Sequence, residues 1–422
     1  MKLLFFGDMA PTGFGSVTTD LGRMLIERGI DVRFLSQNDF GTLPEPFASR
    51  TLDVRTFGVV EPDMTDIHGG ITPPDPDWIS AVISGGPNTL ARADGTQWGV
   101  WKPDALLLLG DFYGVRLIAQ PLLGVFAEIP TFHYVPIEGH DLPPLWKEIW
   151  RVIRPIAMSR FGQDEIEKIT GERPPLVYHG VDTDTFRPIS PSNVLVIGDK
   201  IVLSSKERCK ALFGFNPRAR VLLRCDRNMP RKAYPALLRA LEPVMAERPD
   251  VVLALKTQLW DQGGFLSDSI SKLPTEVANR VRTFQGDLPR KALCALYNAA
   301  DVYVSNSAEG FGLTLAEAEA CGVPTVGVDY SAVPEVIGPA GTVVPVGTTW
   351  DNGYAHYWAL PDPAAFGQAV AYLLDHPARA REMGAAGPRH IAANFTWAKA
   401  ADALIGVLND RVGAHTAAMV AA

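Results

Sequence analysis

A chain of 422 residues, 47% hydrophobic and 20% charged, has the length for two or three domains and the balance of a soluble globular protein, neither disordered nor membrane-spanning. Its net charge of −8 is uneven: residues 1–190 hold 16 Lys/Arg against 25 Asp/Glu, the remainder 23 against 22. An acidic first half argues against nucleic acid as a partner, because phosphate backbones are held chiefly by cations, and against broad docking on anionic lipid.

Residues 2–6 form an apolar run too short for a signal peptide and predict a first buried strand. Pro11-Thr12-Gly13-Phe14-Gly15-Ser16 joins that strand to a helix starting near Val17. It has a loose phosphate-loop shape, without the third glycine of G-x-G-x-x-G or the lysine of a P-loop, so Gly13, Gly15 and Ser16 are candidates on a weak signal. Strands are predicted at 32–35, 105–109 and 131–135. Residues 59–100, rich in Pro, Gly and Asp, read as an insertion that serves as a lid or an acceptor-side loop. His133 ends the strand at 131–135; a lone histidine on an apolar strand is more often packed than functional. Glu138 and His140 follow in a loop as weaker acceptor candidates. Trp146, Ile149, Trp150 and Ile153 share one helical face and Lys147, Arg151 and Arg154 another. This predicts a core-facing helix with a solvated side, and membrane association is suggested only weakly.

Asp182-Thr183-Asp184 has the look of a metal-binding D-x-D, but it precedes a break in the pattern at 187–200, so no metal is assigned. That break divides a domain at 1–190 from one at 191–394. Beyond it, strands at 221–225, 251–256, 281–284, 302–305 and 325–328 alternate with helices at 233–246, 290–299 and 313–321. Such alternation, which the first half shares, predicts α/β architecture with parallel, doubly wound sheets. The four cysteines, Cys209, Cys225, Cys294 and Cys321, show no C-x-x-C pair or metal spacing and predict buried thiols in a cytoplasmic protein. Trp350, Tyr354, Tyr357 and Trp358 cluster in an extra segment at 348–360, read as a local packing cluster.

The most informative stretch is 305–335, SNSAEGFGLTLAEAEACGVPTVGVDYSAVPE. A strand, the turn Glu309-Gly310-Phe311-Gly312 and a helix beginning at Leu313 make an anion site, since unpaired amides point outward with the helix dipole behind them. Glu309 and Glu317, eight positions apart, frame it. Glu319 lies about 200° round the helix from Glu317 and is predicted to face solvent. Glu, seven residues, then Glu around Gly-Phe-Gly resembles the signature of the family 4 glycosyltransferases, retaining enzymes of the GT-B fold. Val177–Phe186 resembles that family's N-G-V-D-x-x-x-F segment, and Arg227 with Lys232 resembles its basic pair.

The resemblance implies two Rossmann-like domains facing a central cleft, with a last helix, about 395–422, crossing back onto the first. It implies a nucleotide-diphosphate-sugar donor and an acceptor hydroxyl of unknown identity, with no cofactor and no metal. Glu309 would touch the donor sugar, Gly310, Phe311, Gly312 and Leu313 the phosphates and sugar, and Glu317 the ribose. Arg227 and Lys232 would hold the diphosphate, and Arg231 between them is expected to be exposed. The resemblance also places His133 near the reacting bond. Gly13, Gly15 and Ser16, with the 59–100 insertion, would form the acceptor side. A sugar-nucleotide epimerase of the same fold and a non-catalytic nucleotide-sugar-binding subunit are the alternatives.

Overall fold

A computed structural model of the protein describes residues 1–10, 12–36, 43–53, 80–81, 101–198, 200–351 and 356–421. The insertion read at 59–100, apart from residues 80 and 81, lies outside the described residues, as do Pro11 and Tyr354.

The chain divides into two compact units, one comprising residues 1–137, 142–180 and 397–422, the other 138–141 and 181–396. In the first, strands β1 (Lys2–Gly7), β2 (Asp31–Ser36), β3 (Thr51–Asp53), β4 (Ala105–Leu109), β5 (Thr131–Val135) and β6 (Arg154–Ala157) form one sheet in the order β3-β2-β1-β4-β5-β6. Every neighbouring pair is parallel. β4 and β5 are buried at every position, as strands covered by helices on both faces must be.

The second unit opens with a small antiparallel hairpin, β7 (Leu195–Ile197) and β8 (Ile201–Leu203). β9 (Arg220–Cys225), β10 (Val251–Lys256), β13 (Val281–Phe284), β14 (Val302–Ser305), β15 (Thr325–Val328) and β16 (Gly341–Val344) then form a parallel sheet ordered β13-β10-β9-β14-β15-β16. Two hairpins sit outside it: β11 (Trp260–Asp261) with β12 (Gly264–Phe265), and β17 (Val346–Asp351) with β18 (Tyr357–Pro361). Both six-stranded sheets thus share one topology, the doubly wound Rossmann order, and each unit has the expected α/β architecture. In such a sheet the order reverses beside the first strand, and the gap at the carboxyl ends there is where ligands bind. The reversal lies between β1 and β4 in one unit and between β9 and β14 in the other.

One element differs from expectation. The helix with the tryptophan face stops at Trp150, and Arg154–Ala157 is the edge strand β6. Pro155 disfavours helical backbone at Arg154 and leaves no amide to donate, which only an edge strand tolerates. The apolar face itself is core: Trp146, Ile149, Trp150 and Ile153 are all buried, with Phe112 stacked on Trp146 at 3.9 Å. At the other end the terminal helix runs Trp397–Ala421 and belongs to the first unit, where Arg28 pairs with Asp402 at 2.5 Å. The extra aromatics at 348–360 form the hairpin β17–β18, with Trp350 and Trp358 as a cross-strand pair, while Tyr357 is exposed. Among the described residues, no helix is long and apolar enough to cross a membrane.

Candidate functional site

The reversal point of the second sheet gathers most of the candidate residues. β9 ends at Cys225 and leads to Asp226 and Arg227; β14 ends at Ser305 and leads through Asn306 and Ser307 to Glu309. After β9, a single 3-10 turn, Pro230–Lys232, is followed by Ala233 in left-handed backbone at φ 46°. That turn points two consecutive cations inward. Lys232 Nζ reaches Glu309 Oε1 at 2.5 Å and Asp226 Oδ1 at 2.7 Å. Arg231 Nη1 reaches Glu309 Oε2 at 3.1 Å, and its Nη2 reaches Glu138 at 3.3 Å. The expectation that Arg231 is exposed is therefore corrected: the tight turn brings it onto the same carboxylate as its neighbour.

Glu309 is 6% exposed. Burial pushes its carboxyl pKa up, but Lys232, Arg231 and Arg224 outweigh that and hold it at about 2, so it is ionised. Its Oε1 also accepts from Ser307 Oγ at 2.9 Å, and its backbone amide donates to Ser331 Oγ at 2.9 Å. Behind it lies Arg224, the penultimate residue of β9, a charged side chain with no exposed surface. Arg224 donates to Ser307 Oγ at 2.8 Å and Asn306 Oδ1 at 3.1 Å. Its Nε lies 2.7 Å from Asp226 Oδ2, a charge contact whose angles make no hydrogen bond. The prediction passed over Arg224, Asp226, Ser307 and Ser331. Arg224 had a legible signal, since an arginine inside the apolar run VLLRC must have buried partners.

The turn after Glu309 places Gly310 and Phe311 inside, with Phe311 edge-on to Phe395 at 5.4 Å. Gly312 adopts φ 99°, which glycine alone takes without strain. No side chain caps the helix Leu313–Ala320 that follows, so its first-turn amides carry the positive end of the dipole toward the carboxyl edge of the sheet. Glu317, half-buried on that helix, accepts from the buried Tyr297 hydroxyl at 2.7 Å. Arg227 stands apart from this cluster: it is half-exposed and forks onto Asp261 of β11 at 3.0 and 3.1 Å.

Glu319 contradicts its expected position at the surface. It is fully buried, with Oε1 accepting from Thr325 Oγ1 at 2.8 Å. The helix has no solvent face because the helix Pro377–Asn394 lies across it. A Cβ on Gly387 would stand 2.4 Å from the Glu319 carbonyl oxygen, a spacing that admits only glycine. Burial without a cation raises the Glu319 pKa well above the ordinary 4.5. A raised carboxyl keeps its proton when folded and releases it when unfolded, so stability falls as pH rises above about 4.5. Glu319→Gln, which mimics the neutral acid, should melt like the wild type near pH 5 and higher than it near pH 8. Parallel melting curves against pH would show that the carboxyl is ionised.

In the first unit the glycine loop follows β1. Thr12 caps the helix Gly13–Glu27, accepting from the Gly15 amide at 3.0 Å. Gly15 is required, since a Cβ there would lie 1.7 Å from the Ala10 carbonyl oxygen, whereas Gly13 is exposed with open space around it. Ser16 is half-buried on the first turn. His133 is wholly buried in β5. Trp150 Nε1 donates to its Nδ1 at 3.1 Å, so Nε2 carries the hydrogen and donates to the Gly110 carbonyl at 3.1 Å. Burial lowers its pKa to about 4. Both ring nitrogens are committed, and the imidazole is neutral. Asp182, of the D-x-D, accepts from the amides of Asp184 and Thr185 in its own turn. Among the described residues no three His, Cys, Asp or Glu are placed to hold a metal ion.

Residues 219–376 match the family model "Glycosyl transferases group 1". The chain is 27% identical over 237 residues to a GDP-mannose-dependent monoacylated alpha-(1-6)-phosphatidylinositol monomannoside mannosyltransferase of Corynebacterium glutamicum, over 54% of each chain. It is 32% identical over 230 residues to the D-inositol 3-phosphate glycosyltransferase of Segniliparus rotundus, over 54% of this chain and 44% of that one. The chain therefore spans about half the length of the curated relatives it matches. Among solved structures, it resembles sucrose-phosphate synthase from Thermosynechococcus elongatus with a TM-score of 0.72 at 18% identity, over 98% of this chain and 99% of that one. The matched stretch contains Arg227, Lys232, the turn Glu309–Gly312, Leu313 and Glu317, and over residues 219–376 this chain is similar to the glycosyl transferases group 1 family.

Proposed function

We propose that this protein is a retaining glycosyltransferase that moves a sugar from a nucleotide-diphosphate donor to an acceptor hydroxyl without a metal. The observation that carries the proposal is the uncapped N-terminus of the helix Leu313–Ala320 at the sheet's reversal point, framed by Lys232, Glu309 and Glu317. Charged carboxylates are strong acceptors for the hydroxyls of a sugar and a ribose. Fixed cations and helix amides stabilise the charge that grows on a departing diphosphate. Arg227 joins them once it exchanges Asp261 for phosphate, a small cost for an exposed pair. The donor class is supported by a relative named as GDP-mannose-dependent.

His133 enters as a positioning residue for β5 and the Gly110 turn, since a neutral imidazole with both nitrogens occupied cannot carry the acceptor's proton. The proton goes instead to the leaving phosphate, on the same face as the attacking hydroxyl, which preserves configuration. Gly13, Gly15 and Ser16 contribute on the acceptor side, and the acceptor's identity is left to experiment. A panel of UDP-, GDP-, ADP- and dTDP-sugars in excess EDTA tests the reading. The correct donor at about 100 times its dissociation constant should add about 2.7 kcal/mol to stability. Turnover should survive EDTA within about twofold; complete loss, restored by Mg²⁺ or Mn²⁺, would refute metal independence.

A further inference from the structure

The hairpin β17–β18 and the loop 138–141 meet in the second unit and enclose a groove of about 360 Å³ lined by His140, Asp141, Tyr330, Thr349 and Tyr357. The two segments are joined by main chain. Tyr357 N donates to the His140 carbonyl at 3.0 Å, and Gly139 is so close that a Cβ would lie 2.3 Å from the Tyr357 carbonyl oxygen. Tyr330 ties them further, its hydroxyl donating to the Tyr357 carbonyl at 2.6 Å and accepting from His140 N at 3.1 Å. His140 stands edge-on to the Tyr330 ring at 5.0 Å.

Two covalent neighbours connect this groove to Glu309. Ser331, next to Tyr330, accepts from the Glu309 amide, and Ala332 N donates to the Glu309 carbonyl at 3.2 Å. Glu138, two residues before His140, meets the same Arg231 guanidinium that holds the Glu309 carboxylate. A group seated in the groove therefore lies within a few residues' reach of the carboxylate proposed to hold the donor sugar, along both connections.

The lining chemistry selects an occupant. It offers a carboxylate, an imidazole, a threonine hydroxyl and two phenol rings, and Tyr357 is 42% exposed. Among the described residues no lysine or arginine lines it, and a phosphate group there would meet the Asp141 carboxylate. Aromatic faces with short polar side chains suit the C–H surface and hydroxyls of a neutral sugar or cyclitol. We propose that this groove is an acceptor subsite for a neutral polyol ring, placed beside Glu309 by an arm of the donor-binding unit itself. The inference rests on the glycosyltransferase reading.

Saturation-transfer NMR on the full chain tests it, with methyl α-D-mannopyranoside and myo-inositol as neutral probes, inositol 3-phosphate as the charged one, and UDP and GDP read separately by thermal shift. Tyr357→Ala and Asp141→Asn, both at exposed positions, serve as variants. We expect saturation of at least one neutral probe, weakened at least threefold in each variant, with nucleotide shifts unchanged. Nucleotide binding with no neutral response, or a neutral response equal in wild type and variants, overturns the groove and leaves the glycosyltransferase reading intact. Inositol 3-phosphate saturating more strongly than myo-inositol, and losing signal in the variants, overturns the neutral class. A variant-sensitive neutral response without any nucleotide shift upholds the groove as a polyol site and removes the transferase reading.

Discussion

Glu309→Gln should lower turnover about ten- to a hundredfold at saturating donor while changing the donor KM less than threefold. The carboxylate is proposed to touch the ring that becomes an oxocarbenium ion, so its charge matters more in the transition state than in the bound donor. Loss of a hydrogen bond to a charged group costs about 1.5–3 kcal/mol, which sets that range. The same variant should also be less stable, because Lys232 and Arg231 would face a neutral amide in a nearly dry site. Breaking one side of a buried ion pair costs about 3–5 kcal/mol. Its pH signature has a definite sign. With a folded pKa of about 2 against the ordinary 4.5, the stability that Glu309 contributes is complete above about pH 4.5 and is lost as pH falls toward 2. The variant should lack this contribution to acid sensitivity. Melts at pH 7 and pH 3, beside steady-state kinetics, measure both effects. An unchanged turnover with a raised donor KM would place Glu309 in ground-state binding only and remove it from the reacting ring.

Glu317→Gln should do the opposite, raising the donor KM about ten- to a hundredfold and leaving turnover within about threefold. The ribose it is proposed to hold changes little as the glycosidic bond breaks, and uniform binding of that kind appears in KM. Stability should suffer less than in the Glu309 variant, because the partner left behind is the neutral Tyr297 hydroxyl. Tyr297→Phe separates positioning from contact. If Tyr297 only aims Glu317, its loss should raise the donor KM by a smaller factor than loss of the carboxylate, with turnover unchanged. Equal kinetic losses in the Glu309 and Glu317 variants would mean that the two carboxylates do not hold different parts of the donor.

Much of the second unit was legible in the sequence because its signals are local. The strands 251–256, 281–284, 302–305 and 325–328 begin and end where their apolar, β-branched runs do. Gly312, at a turn demanding positive φ, and Gly322 with Pro324 after it punctuate the helix as single residues can. Glu309, Glu317 and Lys232 were picked out by their resemblance to family 4 motifs, and they could meet because short loops at the ends of neighbouring strands converge.

What the sequence left open was which way side chains turn once a second layer covers them. An isolated helix at 313–320 would expose one face, and on that assumption Glu319 belongs in water. The glycines of the helix Pro377–Asn394 let it approach so closely that no such face exists, a fact carried some seventy residues downstream. The direction of Arg231 depends on one left-handed residue, Ala233, which is an unusual conformation for alanine and leaves no mark in its own identity. His133 was read beside a reacting bond, but its nitrogens are claimed by Trp150 and Gly110, whose distances from it in sequence hide the contact. The groove of His140 and Tyr357 likewise joins segments more than two hundred residues apart through main-chain hydrogen bonds. Side-chain patterns carry almost no record of such bonds. Local backbone preferences and apolar periodicity determined the elements, and long-range packing alone decided which charged groups were buried together.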